Sequence, residues 1–306
     1  MLTINRMQHG NVTVVLKDSD LQPASTGCPV CGSTDLGREL RIQEAPNVDW
    51  LACRTCHCWF ATPQPTAAFL SGFYRSYYAE DDVERVHVRP TRLARRLVDG
   101  VGPLPSRHVR ILDFGGGDGA VAFEVARQLH ARGTRHADVV VVDYNHVPNP
   151  QIPDGCTARY ARDLGDLTDT EPFDLIVASA VLEHVLDLKG ALRSLWALMA
   201  RSGWFYARTP YVGPLAAALH RLSVRFDMNY PGHLFDLGPA FWDGALQRLG
   251  APPDLALRTS RPSIVETHWR DAPLRTAAAH LLKSPYRLLG RSYPFVGGWE
   301  VFIQRA

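Results

Sequence analysis

The sequence predicts an α/β protein: a mostly parallel sheet of strands and helices, preceded by a small unit stapled by a metal ion. Three observations carry this. Residues 109–114 are apolar and β-branched and end in an acid; four glycines follow within residues 115–119; then Val121, Phe123, Val125, Ala126 and Leu129 recur at helical spacing. A second apolar run, 138–143, also ends in an acid, Asp143. Near the start, Cys28, Cys31, Cys53 and Cys56 stand in the spacing C-x2-C-x21-C-x2-C.

Length and composition fit one large domain and a small one. The chain has 306 residues, 46% hydrophobic and 21% charged, the balance of a soluble globular protein. The formal net charge, +2, is close to balanced, so net charge gives no sign of a strong polyanion partner. No apolar run approaches the roughly 18 residues of a membrane span, and residues 1–10 lack the apolar core of a signal peptide, so a cytoplasmic location is expected.

From the front, the two cysteine pairs offer four thiolates that can close a tetrahedral zinc shell with no open position, which makes the metal structural. The gap between the pairs suits a two-stranded ribbon. Cys58 and His57 are spare donors, and Cys58 is expected to pack beside Trp59 and Phe60 instead. Residues 63–99 read as helical, with Phe69, Phe73, Tyr74, Tyr77 and Tyr78 at helix spacing, an acidic patch at 80–82 and a basic run from Arg85 to Arg96. Residues 100–105, rich in glycine and proline, mark the hinge into the core.

The glycine turn is a cofactor loop. Glycines let the chain turn sharply and approach a ligand where a Cβ would collide, and the helix behind them presents unpaired N–H groups. Residues 117–122 also fit the dinucleotide pattern G-x-G-x-x-G/A, with Asp143 placed as a ribose-binding acid. That pattern alone leaves a nicotinamide enzyme open.

Asp113 just before the glycines, the spacing D-x-G-x-G-x-G, and the later run Phe173–Val185 together resemble the class I S-adenosylmethionine (SAM) dependent methyltransferases. The resemblance runs from about Val109 to Pro210 and more loosely to the C-terminus. It implies a Rossmann-like seven-stranded sheet, mostly parallel, whose last strand (around Trp299–Ile303) is antiparallel. It also implies that Asp113, Gly115, Gly117 and Gly119 wrap the methionine half of SAM and that Asp143 holds the ribose hydroxyls. Tyr144 would lie near the adenine, Asp163 would meet its amino group, Ser179 would close the fourth strand's exit, and Tyr78 would cover the pocket. The domains are then 1–62, the N-terminal segment and ribbon; 63–100, a helical bridge; and 101–306, the methyltransferase domain, with substrate-capping insertions near 211–240 and 266–292.

The exit of the fourth strand, Ser179-Ala180-Val181-Leu182, lacks the Asn/Asp-Pro-Pro-aromatic run of nucleobase amino methyltransferases. Its Leu-Glu-His-Val form resembles the branch that methylates small molecules, including quinones and sugars. His184 there is either a structural group bonded to a carbonyl or a proton carrier. The stretch Tyr230–Phe235 is similar to an aromatic-x-x-His-Leu run in zinc-containing deoxysugar methyltransferases, which makes His233 the first choice of general base. A hydroxyl acceptor needs such a base near neutral pKa. The expected acceptor is thus a small, sugar-like molecule, methylated at a hydroxyl or an activated carbon. The basic span 273–291 is read first as a solvated, packed helical face, with a cap over the substrate site, a phosphate contact and a peripheral membrane contact as alternatives. Two other readings stand beside this one. A zinc ribbon also precedes the core in a ribosomal RNA methyltransferase family, but here Arg38, Arg41 and Arg54 are offset by Asp35, Glu39, Glu44 and Asp49, which argues against nucleic acid. The other is a ribbon-bearing interaction module without catalysis, against which the intact glycine loop and Asp143 argue.

Overall fold

The computed structural model describes residues 16–79, 90–105, 107–144, 151–167, 171–224, 226–265 and 267–306, with the side chains of 77–79 left out. The acidic patch at 80–82, Arg85 and Arg89, and the side chain of Tyr78 therefore lie outside the described residues.

The front of the chain forms β1 (Leu36–Glu44), β2 (Asn47–Cys53) and β3 (Cys58–Thr62), followed by α1 (Ala67–Ala79) and α2 (Thr91–Gly100). The core then alternates: β4 (His108–Phe114), α3 (Ala120–His130), β5 (His136–Val142), β6 (Cys156–Ala161), β7 (Phe173–Ser179), α4 (Leu188–Ala197), β8 (Met199–Tyr211) and α5 (Gly213–Arg221). The last third supplies β9 (Phe235–Leu237), α6 (Pro239–Arg248), β10 (Leu255–Pro262), α7 (Pro273–Lys283), α8 (Tyr286–Leu289) and β11 (Gly297–Arg305). The basic span 273–291 is thus two helices, broken where Pro285 follows Ser284.

Seven strands form the main sheet in the order β10-β11-β8-β7-β4-β5-β6. β4 pairs in parallel with β5 and β7, as do β5 with β6 and β7 with β8. β11 runs antiparallel to both β8 and β10, so the last strand of the chain is the reversed one. The strands at the centre are continuous apolar runs because both faces are covered. On one face α2 and α3 bury Leu93, Leu97, Val121 and Phe123 against Val109, Ile111, Val139 and Val177. On the other, Trp196, Phe205, Trp242 and Trp299 belong to a larger cluster.

That larger cluster does not stop at the core. It runs into the front unit through Trp50, Phe60 and Cys58. β1, β2 and β3 form an antiparallel meander whose fourth strand is β9, which comes from beyond the core strands β4–β8 in the chain. At the join, a Cβ on Gly213 would meet the Trp59 ring at 2.6 Å, so the ribbon's indole lies flat against the start of α5. Asp236 of β9 is buried and accepts the N–H groups of Val212 and Gly213 at 2.6 and 3.1 Å. Burial pushes its carboxyl up to about 7, against the pull of those two donors.

Candidate active site

The site lies at the C-terminal ends of β4, β5 and β7, where an open parallel sheet leaves a crevice at the reversal of strand order. β4 delivers Asp113 and the turn delivers the glycines. Gly115 (φ +71°) and Gly117 (φ +57°) take the left-handed backbone that a side chain resists. A Cβ on Gly115 would collide with Val181, so this glycine lets the turn pack against the exit of β7. Gly117 has nothing within 4 Å of where its Cβ would stand, leaving its surface open to a ligand. Gly119 caps α3, and its own Cβ would strike Phe123 and Val141.

Asp143 follows β5 directly, and its Oδ2 accepts the Gly117 N–H at 2.8 Å. The acid expected to hold a ribose thus also fixes the glycine turn. Asp113 is buried, and its Oδ2 has no partner among the described residues. Burial raises its pKa to about 7, with the charges of Asp143 and Asp118 adding to the effect. An orphaned carboxylate oxygen and an open glycine surface at the start of a helix fit an adenosyl amino acid whose amino group is cationic.

Tyr144 is half exposed, and its hydroxyl is bonded to Ser71 Oγ of α1 at 2.5 Å. Beside this contact lies a cavity of about 240 Å³ lined by Leu70, Ser71, Tyr74, Tyr144, His184 and Leu186. Ser179, at the end of β7, is buried and accepts from Arg208 Nε at 3.0 Å. Asp163 is exposed and caps a short turn, its Oδ1 accepting from the N–H groups of Gly165 and Asp166 at 2.7 and 3.2 Å.

The histidines assemble on the far wall. His184 Nδ1 lies 2.9 Å from the Gly232 carbonyl and 2.9 Å from the Tyr74 hydroxyl, which in turn donates to that carbonyl at 3.2 Å. All three contacts are satisfied when Nδ1 carries the proton and Nε2 carries the lone pair. The His233 ring stands edge-on to His184, with centroids 4.9 Å apart. The backbone N–H of His233 donates to Asn229 O at 2.8 Å, while the Tyr230 hydroxyl donates to Pro63 O at 3.0 Å and ties the loop to the root of α1. So the carbonyl bond expected of His184 is present, and the bond places it beside the expected base.

Two participants escaped the reading of the sequence. Tyr74 sits one turn before Tyr78 on the same helix, so the aromatic spacing held the signal without ranking the two. Glu183 is buried at 2% exposure, and its Oε2 has no partner among the described residues. Burial raises its carboxyl to about 8. Glu183, His184 and His233 bring ligand atoms within 4.8 Å of one another, a set that can hold a proton or a cation. The signal was the Glu-His pair itself, quoted for its family form and given no role for the acid.

The four front cysteines converge as well. Cys28 Sγ lies 3.6 Å from Cys56 Sγ and Cys31 Sγ lies 3.5 Å from Cys53 Sγ. A tetrahedral shell with Zn–S near 2.3 Å has an edge of about 3.8 Å, so the thiols fit such an ion. Each pair closes a tight turn whose next residue, Gly32 or His57, is left-handed, with φ of 79° and 60°. Cys58 stands outside the set, buried, its thiol donating to the Trp59 carbonyl at 3.4 Å. No helix among the described residues is long and apolar enough to cross a membrane.

The family described as a methyltransferase domain matches residues 85–251, more than half of the chain. A ubiquinone biosynthesis O-methyltransferase from Methylocella silvestris is 32% identical over 154 residues, which are 49% of this chain and 58% of that protein. The chain thus matches somewhat over half the length of this curated relative. Among solved structures, the N-methyltransferase NodS from Bradyrhizobium japonicum, in complex with S-adenosyl-L-homocysteine, is 13% identical with a TM-score of 0.42, covering 77% of this chain and 97% of that one. The magnesium protoporphyrin IX methyltransferase from Synechocystis is 14% identical with a TM-score of 0.44, covering 77% and 94%.

Proposed function

This chain belongs to the methyltransferase domain family, and on that premise we propose that it transfers a methyl group from SAM to a hydroxyl, or an activated carbon, of a small sugar-like acceptor. The observation that carries the reading is the meeting of Tyr74, His184 and His233 just past the exit of β7, whose Val181 abuts Gly115 of the glycine turn. SAM supplies a methyl group activated on a sulfonium. Gly115, Gly117 and Gly119 give the turn its close approach, Asp113 faces the amino acid end, and Asp143 accepts from the ribose while holding Gly117. Tyr144 and Ser71 wall the side of the cavity toward the adenosine. Asp163 and Ser179 complete the cofactor set, and the α1 segment that carries Tyr78 covers it.

On the acceptor side the chain's work is alignment and proton removal. A sugar hydroxyl attacks well only as its proton leaves. His233 takes that proton, and His184, held by the Gly232 carbonyl and the Tyr74 hydroxyl, orients the acceptor or relays the proton. The four cysteines hold a structural zinc ion, which stabilises a front unit too small for a core of its own. The substrate is a small molecule, with no polyanion implied by charge.

The test is methyl transfer from tritium-labelled SAM to a panel of nucleotide sugars, free glycosides, phenols and ribosomal RNA. Label in a sugar or phenol, lost in His233→Ala, supports the proposal; label in RNA alone overturns it.

A further inference from the structure

At the opposite end of the sheet, β4 and β5 begin with histidines in register: His108 is paired with His136. Two residues further along β5, Asp138 projects on the same face as His136, because side chains alternate along a strand. His108 Nε2 lies 2.7 Å from Asp138 Oδ2, and His136 Nε2 lies 3.1 Å from Asp138 Oδ1. The two rings are 5.4 Å apart and tilted by 49°. The Thr157 hydroxyl of β6 donates to Asp138 Oδ1 and fixes the carboxylate from the other side. Side-chain exposures of 47%, 40% and 30% leave all three groups within reach of solvent ions.

We propose that His108, His136 and Asp138 form a second metal site, for a divalent transition cation of the zinc class, at the foot of the sheet and away from the crevice. The donor set is two imidazoles and a carboxylate, which zinc accepts readily while calcium and magnesium prefer all-oxygen shells. The spacing suits it. Ligands held 2.0–2.1 Å from a tetrahedral ion stand about 3.3 Å from one another. The two carboxylate–imidazole distances, 2.7 and 3.1 Å, are hydrogen-bond contacts shorter than that edge, so an ion enters by displacing the bridging protons and parting the side chains by about 0.2–0.6 Å, and ligand atoms of all three residues already lie within 4.8 Å of one another. The donors also sit on hydrogen-bonded strands, so the ion meets a site whose backbone is already placed. Thr157 plays the outer-shell part, orienting the ligating carboxylate. Three protein ligands leave one position for water, so the site is open. Its effect is to join the starting ends of β4 and β5. The alternative is a carboxylate shared by two imidazoles with no ion, which between partly exposed groups contributes little.

The experiment compares the untagged full chain with His108→Ala/His136→Ala and with Asp138→Asn. Each is purified with zinc, dialysed against metal-free buffer, titrated with Zn2+ against a competing chelator, and counted by atomic absorption. The wild type is expected to hold one more zinc ion per chain than the double variant, with micromolar or tighter affinity, and Asp138→Asn to weaken it at least tenfold. Zn2+ should raise the melting temperature of the wild type and leave that of the double variant unmoved. Because the readout is a difference, it stands whether or not the four cysteines carry zinc, and S-adenosyl-L-homocysteine binding in the crevice should be equal in all three chains. Equal zinc counts in wild type and double variant, or binding only at millimolar Zn2+, would overturn the site.

Discussion

The turn between β4 and α3 gathers Gly115, Gly117 and Gly119 from five consecutive positions, whereas the opposite wall gathers its groups from three separate parts of the chain. Tyr74 reaches His184 across 110 residues and Gly232 across 158. One wall is local and is set by a strand, a turn and a helix that any sufficiently short stretch can specify. The other exists only once α1 has packed over the sheet and the loop at 229–233 has been pinned to Pro63. The comparison teaches that cofactor binding and acceptor handling depend on different contacts, so they should fail separately.

The sharpest way to break it is Asp143→Ala. The change removes the acceptor of the Gly117 N–H and the ribose contacts together. Two or more hydrogen bonds to a charged group at about 1.5–3 kcal/mol each predict a loss of SAM affinity of at least 100-fold, read by calorimetry. An affinity within threefold of wild type would mean that the glycine turn does not need this acid. His233→Ala should do the converse, lowering turnover by about 10²–10⁴ while SAM affinity stays within a factor of two. A fully active variant would return His233 to a structural role.

Chelation probes the join between the walls. Removing metal from the four cysteines should melt β1–β3, and since β3 carries β9 and Trp59 abuts Gly213, turnover should fall along with the circular dichroism of the ribbon. Unchanged spectra after metal removal would show that the thiols pack without an ion. Tyr74→Phe should act more gently. It deletes one hydroxyl bonded to His184 Nδ1 and the Gly232 carbonyl, so a loss of about threefold to tenfold in turnover is expected, with a shifted pH profile. No shift in that profile would separate Tyr74 from proton handling.

Asp113 gives the smallest effect. Its folded pKa, near 7, is above the ordinary 3.8, so the native state binds more protons than the unfolded chain between those values. Its contribution is therefore fully present below about pH 4 and is lost as pH rises through 7. Asp113→Asn should melt a few degrees above wild type at pH 8 and level with it near pH 4, in the absence of ligand. A variant less stable than wild type at pH 8 would show that the carboxylate is held charged.

The same contrast explains what could be read in advance. Asp113, the glycines and Asp143 announce themselves because a buried parallel strand is a continuous apolar run and its ligand loop is contiguous with it. The run around Trp299–Ile303 was legible as an apolar strand, its reversed sense coming from the family resemblance, and the four cysteines were legible from the spacing of their two pairs. The partnership of β3 with β9 was not, since three residues, Phe235–Leu237, carry no periodicity of their own. Glu183 was hidden differently: an acid inside an apolar run reads as a surface position until burial shows otherwise. Tyr74 and Tyr78 lie one turn apart in the sequence, and the spacing alone ranks neither.

The most direct measurement is a crystal structure of the chain grown with S-adenosyl-L-homocysteine. The account predicts density along the turn from Gly115 to Gly119, the ribose against Asp143, and the sulfur facing the wall that holds His184 and His233. Density lying elsewhere, or a crevice that takes a nicotinamide dinucleotide in its place, would contradict it.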